Sequence, residues 1–480
     1  MNWSQLEAPL LTKSEFRSHG AFGALLRSSV APIVCGFALG AGYGNIGGVM
    51  SSDNFKNYYN HPSDPVVELL GAVLQAGCIV GSILAGFLSD RLGRRNGAFN
   101  AALLLLLGTL IAGMPLYTDV KSLAPIFVGR AFIGVANGFL SCTIPTYVCE
   151  VASATHRGAV NSTFQFFIVL GILISYLLNW ALVPSVEIGW KLSLAWQAVP
   201  AFGLVIALSF LPESPRWLIL FGNDPVAAAT ALHQFRCKED DVQEEIRGIV
   251  AESQSVQRQA TTSTWREVCS EDHRRNVLVA MMIGMMQNGN GIDIMTVYAP
   301  SIFSDLSGDE SEERKLWNTV LVGITFVLLT PVAVMYVDRF GRKFLLLIGT
   351  AGMILSMLTL SVCGHLMKGS YSHGMAHAVL GNVSVAALLA VCAFFSFSWG
   401  PVAWIVPSEL LPSHLRARVV SFTTVLNWMT DYTVISTWLS LSSAVGEAGG
   451  FMVYSIVNVI IFMFVLAFLK ETKGTNLEQA

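Results

Sequence analysis

A polar stretch between Met286 and Pro300 interrupts one of the most apolar parts of the chain. It reads Met-Gln-Asn-Gly-Asn-Gly-Ile-Asp-Ile-Met-Thr-Val-Tyr-Ala-Pro, with three amides, two glycines and a carboxylate. Inside a membrane, such groups are tolerated only where they face a cavity or another helix. The side chains of Gln287, Asn288, Asn290 and Asp293 can donate and accept hydrogen bonds to ligand hydroxyl groups. The amides could instead bond neighbouring helices. For the cluster as a whole, we favour a binding site on a broken helix.

Long apolar segments surround this stretch and must position its side chains. Of the 480 residues, 53% are hydrophobic and 13% are charged, and the mean hydropathy is +0.57. Such values are typical of a membrane protein with many crossings. A segment of about 20 apolar residues can cross a bilayer as an α-helix. The apolar segments are residues 27–48, 66–89, 97–117, 121–149, 158–181, 190–211, 276–303, 316–337, 344–367, 378–407, 418–444 and 448–469. The sequence therefore predicts an all-α membrane protein with twelve transmembrane helices, the seventh of which contains the polar stretch.

Basic residues are distributed unevenly between the two sides of the predicted bundle. If the N-terminus is cytosolic, most lysines and arginines fall on inner loops and helix ends. The outer side then keeps only Lys56, Lys121, Lys191, Arg314, Lys315 and Lys368. By the positive-inside rule, both termini are therefore cytosolic. Residues 1–26 lack the pattern of a cleaved signal peptide, and we expect a multi-pass protein, with the plasma membrane as the favoured location.

Three short motifs occur twice, in the same order and at equivalent positions. Residues 89–95 (Ser-Asp-Arg-Leu-Gly-Arg-Arg) follow segment two, and residues 337–343 (Val-Asp-Arg-Phe-Gly-Arg-Lys) follow segment eight. A glutamate precedes an arginine by seven residues at the ends of segments four and ten, and an acidic motif follows segments six and twelve. Such a repeat predicts two pseudo-symmetric halves of six helices each. The predicted parts are an N-terminal tail (1–26), a first half (27–211), a cytosolic linker (212–275), a second half (276–470) and a C-terminal tail (471–480).

The repeated charged residues lie where helix ends meet on the predicted cytosolic side. Duplicated halves with polar groups near the midplane are typical of secondary transporters that work by alternating access. Ion pairs across helix ends can lock one conformation of such a protein and must break in the other. The alternative is that the basic turns only set the topology. The predicted gating residues are Asp90, Arg94, Arg130, Glu150, Arg157, Asp338, Arg342, Glu409 and Arg416.

The linker between the halves is the largest stretch predicted to be soluble. Residues 226–236 and 241–255 have helical periodicity and many charges, which predicts short amphipathic helices against the cytosolic ends of both halves. No nucleotide-binding loop, metal-ligand cluster or hydrolytic constellation occurs there. The sequence therefore predicts neither an ATP-driven pump nor an enzyme. We expect no catalytic residue, metal or cofactor, and neither nucleotide nor nucleic acid as a partner.

Further motifs accompany the paired turns along nearly the whole chain. They are Gly129-Arg130, Pro-Glu-Ser-Pro-Arg-Trp-Leu at 212–218, the stretch from Gln287 to Pro300, Gly-Pro-Val-Ala-Trp at 400–404 and Glu-Thr-Lys-Gly at 471–474. With these motifs in this order, the sequence resembles the sugar porter family of the major facilitator superfamily. The resemblance implies the major facilitator fold, a sugar substrate and transport by alternating access. It is highly specific for the family and much less so for the substrate.

The resemblance also implies which side chains hold the sugar. The matching positions are Gln165, Gln287, Asn288, Asp293, Phe395, Trp404 and Asn427. Trp404 would cover the apolar face of the sugar ring, because it follows Gly400-Pro401, where the helix should open or bend. Tyr298 is expected to help the seventh segment close over the sugar. Amides that bond hydroxyl groups and an aromatic ring over C–H groups suit an uncharged sugar independently of the resemblance.

Departures from the family pattern concern energy coupling. Proton-linked members usually carry a carboxylate in the first helix, and Gly42 stands at that position here. Without a titratable group there, facilitated diffusion is expected. Asp293 and Asp431 lie in predicted membrane segments where facilitative relatives tend to have amides, and an intramembrane carboxylate is a functional candidate. Proton symport through either carboxylate is therefore the alternative.

The substrate prediction is a monosaccharide, with a hexose such as glucose favoured. Phe326 stands where the family commonly has a sugar-binding asparagine, so a pentose, a polyol or a small carboxylate is an alternative substrate. A sugar sensor that binds without transport is a further alternative, against which the short C-terminal tail argues. The expected partners are the sugar, the lipid bilayer and, in the symport alternative, protons.

Overall fold

The structure is a computed structural model of the chain. It describes residues 21–119, 121–153, 157–222, 224–236, 242–260, 270, 273–307, 311–368, 375–411 and 413–471. Within these residues, all regular secondary structure is helical. The side chains of Arg157, Asp338 and Arg416, three of the predicted gating residues, lie outside the described part.

The first half consists of long helices joined by short connections. Its helices are α1 (Ala21–Ser51), α2 (Asp53–Tyr58), α3 (Asp64–Leu92), α4 (Arg94–Ala112), α5 (Ala124–Val151), α6 (Arg157–Leu182), α7 (Gly189–Ala195) and α8 (Ala198–Phe210), with a 3₁₀ turn at Met114–Leu116. The short helix α2 joins the first two crossings, and α7 with α8 forms the sixth.

In the described part of the linker, the chain forms three helices: α9 (Pro215–Leu220), α10 (Pro225–Phe235) and α11 (Val242–Ala260). Two of them begin with the same local signal. The Ser214 side chain accepts a hydrogen bond from the backbone N–H of Trp217, and Asp224 accepts one from Ala227. In both cases a proline follows at the first helical position, where it is pre-organised and its missing N–H costs nothing. The sequence thus starts both linker helices locally.

The second half contains the interrupted segment and five further crossings. Its helices are α12 (Arg274–Gly289), α13 (Ile292–Val297), α14 (Ala299–Ser307), α15 (Glu312–Phe340), α16 (Arg342–Lys368), α17 (Met375–Phe397), α18 (Trp399–Leu410) and α19 (Ser413–Phe468). Helix α19 is non-helical at Gly446, where φ is 78° and ψ is 158°. This break divides α19 into the eleventh and twelfth crossings.

The described helices account for all twelve predicted crossings. Ten spans are long and apolar enough to cross a membrane, and one of them, Val419–Phe468, contains the break at Gly446 and therefore two crossings. The remaining crossing is the seventh, because α12, α13 and α14 are each too short to count as a continuous span. The predicted twelve-helix, two-half fold is confirmed.

The break in the seventh crossing falls inside the polar stretch. Gly291 has φ of 87°, a left-handed conformation that favours glycine. A Cβ atom at this position would lie 2.6 Å from the ring of Tyr454. The side-chain oxygen of Asn290 accepts a hydrogen bond from the backbone N–H of Ile292 at 3.0 Å, which helps to restart the helix. Backbone geometry and close packing therefore both fix the interruption.

The two halves repeat the same turn at one end of the bundle, which we call the basic end because Arg94 and Arg342 lie there. Gly93 precedes α4 with φ of 92°, and Gly341 precedes α16 with φ of 88°. In each half a glutamate carboxylate receives two backbone N–H groups from the first turn of the following helix, a favourable place for a negative charge. Glu213 accepts from Arg95 at 2.9 Å and Asn96 at 3.3 Å, and Glu471 accepts from Arg342 at 2.8 Å and Lys343 at 3.2 Å.

Candidate functional site

Three of the sequence-predicted sugar contacts form one hydrogen-bonded cluster, which we call the amide cluster: Gln287, Asn288 and Asn427. The side-chain oxygen of Gln287 accepts a hydrogen bond from Asn427 at 2.9 Å, and the side-chain oxygen of Asn427 lies 3.4 Å from the donor nitrogen of Asn288. Asn427 also donates to the carbonyl of Gly284 at 2.8 Å. The cluster therefore joins the broken segment, α12, to α19.

Helix α18 borders the amide cluster through its backbone. The Gln287 amide donates to the carbonyl oxygens of Trp399 at 3.4 Å and Gly400 at 3.3 Å. A Cβ atom at Gly400 would lie 3.8 Å from the ring of Phe395, so this half-buried ring is next to the same position. Trp404 lies on α18 with 39% of its surface exposed. Its contact with the sugar ring stays a prediction.

Gln165, the contact predicted from the first half, is half-buried on α6. Its side chain forms no hydrogen bond within the described residues. The same helix does reach the broken segment further along. The hydroxyl of Tyr176 donates to the carbonyl of Thr296 at 2.8 Å. Helix α6 is therefore in contact with α13, and the role of Gln165 stays a prediction.

Asp293 and Asp431 form a second polar contact between the broken segment and α19, which we call the carboxyl pair. Their carboxyl groups lie within hydrogen-bonding distance of each other. Asp431 is 1% exposed, and Asp293 is half-buried. Asp293 Oδ2 and Asp431 Oδ1 are buried and accept no hydrogen bond from a described donor. Because Asn427 and Asp431 are four residues apart on one helix, the carboxyl pair lies one turn from the amide cluster.

Two buried polar side chains near the centre escaped the sequence analysis. Asn137 on α5 is fully buried, and neither its side-chain oxygen nor its nitrogen has a hydrogen-bond partner among the described residues. The indole N–H of Trp428 is likewise buried and unpaired there, and its ring stacks on Tyr43 at 6.1 Å between centroids. Unpaired buried polar groups are costly unless a ligand or water satisfies them. A lone amide in the glycine-rich fourth segment was the available signal for Asn137.

The space beside Gly42 is occupied by a glutamine side chain. A Cβ atom there would lie 2.5 Å from Nε2 of Gln197, which is fully buried and donates to the carbonyl of Ala38 at 3.1 Å. Gln197 therefore fills the space that a larger residue would need. A larger side chain at residue 42 would therefore require the Gln197 side chain to move.

Predicted gating residues of the first half meet at the basic end. Arg94 forms an ion pair with Asp90 at 2.7 Å and another with Glu150 at 3.2 Å. The Ser214 hydroxyl also donates to Glu150. These contacts tie α3, α4 and α5 to the start of the linker. They lie within one half, and their role in gating stays a prediction.

The second half contains the equivalent contact. Arg342 and Glu409 form a bidentate ion pair, with nitrogen to oxygen distances of 2.8, 3.1 and 3.2 Å. Bidentate arginine–carboxylate pairs are among the stronger side-chain contacts and fix geometry. The pair joins α16 to α18. Arg342 corresponds to Arg94 and Glu409 to Glu150, so the structure repeats the motif seen in the sequence.

The placement of Arg130 among the cytosolic ion pairs is wrong. Arg130 precedes Glu150 by twenty residues on the same helix, which separates them by about 30 Å. Arg130 is 2% exposed and donates to the carbonyl of Leu70 at 3.2 Å. It is therefore a buried residue of the bundle interior. Tyr298 is also far from the basic end, and its hydroxyl donates to the carbonyl of Ile435 at 3.0 Å.

The end of the bundle away from the basic end, which we call the opposite end, holds contacts between the two halves. Glu68 on α3 is 5% exposed and accepts hydrogen bonds from the hydroxyl of Ser440 at 2.8 Å and from its backbone N–H at 3.2 Å. The rings of Trp180 and Trp317 pack at 5.1 Å between centroids. The halves are therefore held together at this end in the present conformation.

Two equivalent six-crossing halves around a polar interior are typical of secondary transporters. The family model described as "Sugar (and other) transporter" matches residues 29–480. The chain therefore belongs to this family of sugar transporters, and the resemblance drawn from its sequence motifs is confirmed. It is an integral, multi-pass membrane protein.

Relatives match over nearly their whole length. The arabinose-proton symporter of Escherichia coli K12 is 32% identical over 452 residues, which cover 94% of this chain and 91% of the relative. Probable polyol transporter 3 of Arabidopsis thaliana is 31% identical over 477 residues, covering 96% and 90%. Among solved structures, the chain matches the partially occluded inward-open conformation of the xylose transporter XylE from E. coli, with a TM-score of 0.77 and 24% identity. The match covers 94% of this chain and 99% of that one. The last match shows a shared fold.

Proposed function

We propose that this protein moves a monosaccharide across a membrane by alternating access, and that the amide cluster binds the sugar. The observation that carries the proposal is the convergence of Gln287, Asn288 and Asn427, because side-chain amides can both donate to and accept from sugar hydroxyl groups. Tyr298 and the other residues around the break would close over the bound sugar.

A hexose such as D-glucose is the first substrate to test. Pentoses and polyols follow, because the named relatives are an arabinose symporter and polyol transporters. The buried Phe326, 4% exposed, supports a site that differs from the family pattern in its contacts to one sugar hydroxyl. Substrate choice therefore rests on a competition experiment.

Two modes of transport are compatible with the family. Gly42 favours facilitated diffusion, because no titratable side chain stands at that position. The contact between Asp293 and Asp431 favours the other mode, proton symport, and we give it preference because two buried carboxyl groups in contact need a proton. We further propose that the basic end faces the cytosol, which places both termini there, and that the plasma membrane is the location.

The proposed function is tested by uptake of labelled D-glucose into proteoliposomes, in competition with unlabelled D-xylose, L-arabinose and D-sorbitol. Asn427→Ala should raise KM about 10- to 100-fold, because it removes hydrogen bonds that position the amide cluster, each worth about 1 kcal/mol or more. Thr433→Ala on the same helix is the matched control, since its hydroxyl bonds only within α19, at 2.8 Å to Met429. Equal KM values for the two variants would contradict the assignment of the site.

A further inference from the structure

The broken segment and α19 are joined by two polar contacts one helical turn apart. The first is the bond between Gln287 and Asn427 in the amide cluster, and the second is the contact between Asp293 and Asp431. Sugar binding at the first contact and a change of charge at the second would therefore act on the same pair of helices. Two ligands that bias one interface are thermodynamically coupled.

The carboxyl pair has acceptors but no donor. Asp293 Oδ2 and Asp431 Oδ1 are buried without a hydrogen-bond donor among the described residues, and neither carboxyl group forms an ion pair there. A proton on one carboxyl group would supply the missing donor to the other. With both groups ionised, two like charges would face each other in a buried site, which is strongly unfavourable.

Among the described residues, titratable groups of the first half face the pair. These groups are Tyr43 on α1, Cys78 on α3 and Tyr176 on α6, with Arg130 on α5 facing Tyr43 and Cys78. Arg130 is buried and, within the described residues, has no carboxylate partner. The charge of the carboxyl pair therefore affects the contact between the second half and the first.

We propose that Asp293 and Asp431 together form the proton-binding site of this transporter and that one proton exchanges there in each transport cycle. This inference rests on the proposed function for its link to sugar. On the side of release, the O–H bond of one carboxyl group breaks, its electron pair stays on the oxygen and the proton passes to water. The resulting carboxylate accepts a hydrogen bond from the carboxyl group that is still protonated. A proton taken up from water on the other side restores the starting form.

The proposal explains why a transporter can couple to protons with glycine at residue 42. The exchangeable proton is held by the half that also carries most of the predicted sugar contacts. Proton loss leaves a negative charge beside the amide cluster, which changes the contact between α13 and α19. Sugar and proton would therefore stabilise the same arrangement of the broken segment.

A spectroscopic test reads the proton directly and needs no sugar. In purified protein, infrared difference spectra between neutral and mildly acidic pH should show the carbonyl stretch of a protonated carboxylic acid. Asp293→Asn and Asp431→Asn should each alter this band, and the double variant should lose it. Asp64→Asn, which removes an exposed carboxylate at the start of α3, is the control and should leave it unchanged. A band that persists in the double variant, or no such band in the wild type, would overturn the proposal.

Transport by the same proteins tests the coupling. With an inward proton gradient, wild type and Asp64→Asn should accumulate labelled D-glucose or D-xylose. Asp431→Asn, which keeps every side chain predicted to hold the sugar, should only equilibrate it. Accumulation by Asp431→Asn equal to that of wild type would overturn the proposal. If no protein exchanges either sugar while the infrared band behaves as expected, the proposed function fails and the proton site stands.

Discussion

The contact between Glu68 and Ser440 should control how long the opposite end stays closed. It joins α3 of the first half to α19 of the second, with the carboxylate 5% exposed and the serine hydroxyl 2.8 Å away. Alternating access requires the halves to separate here when the site opens to this side. The contact therefore exists in one conformation and is lost in the other, which is the condition for a shift in population.

Ser440→Ala removes the hydroxyl and leaves the backbone N–H, 3.2 Å from the carboxylate, as the remaining donor of Ser440. A hydrogen bond to a charged group contributes about 1.5–3 kcal/mol. In the open conformation water can satisfy Glu68, so nearly the whole loss falls on the closed conformation. Because about 1.4 kcal/mol is a factor of ten, the equilibrium should shift roughly 10- to 100-fold towards opening at this end.

Distances between spin labels at positions 64 and 444, measured by double electron–electron resonance, report the separation of the halves. Ser440→Ala should enrich the longer distance and leave thermal stability nearly unchanged. Ser443→Ala is the matched control, because its hydroxyl bonds within the helix, to the carbonyl of Ser440 at 2.9 Å. Identical distance distributions for the two variants would refute the reasoning.

Two further predictions concern packing and the basic end. Gly42→Ala should lower the free energy of unfolding by about 1–3 kcal/mol, because its Cβ would meet Gln197 at 2.5 Å. Thermal unfolding in detergent measures this loss. Gly86→Ala is the control and should cause no loss, because a Cβ at residue 86 meets nothing within 4 Å. Arg342→Ala removes the bidentate contact with Glu409 and should bias the protein towards opening at the basic end, with Lys470→Ala as an exposed control. Conformer-specific ligand binding measures that bias, and equal binding by both variants would argue against the gate.

The fold was predictable because its signals are local or repeated. Segment length and hydropathy predicted the crossings, and the paired motifs predicted the two halves. The polar stretch predicted the interrupted helix, since glycine and amides cannot continue a lipid-facing span. Helix ends were less predictable: α1 begins at Ala21, whereas the apolar segment begins at residue 27. Residues 21–26 read Ala-Phe-Gly-Ala-Leu-Leu, so they are apolar and hydropathy alone does not fix where the helix begins.

The site was predictable in composition and less so in arrangement. Polar side chains in apolar segments identified Gln287, Asp293 and Asp431 individually, and the family resemblance identified Asn427. The contact between the two aspartates joins residues far apart in the sequence, and no periodicity within either segment indicates it. Arg130 was misassigned because sequence motifs give order along the chain, while its depth in the bundle depends on its distance from the helix end.

Counterflow in proteoliposomes tests the central claim, sugar transport by alternating access, most directly. Vesicles that contain purified protein are loaded with unlabelled D-glucose or D-xylose and diluted into a trace of the labelled sugar without any proton gradient. We predict a transient accumulation of label, because a carrier with one central site exchanges sugar faster than it returns empty. The account would be contradicted if, for every sugar tested, vesicles with the protein took up no more label than protein-free vesicles.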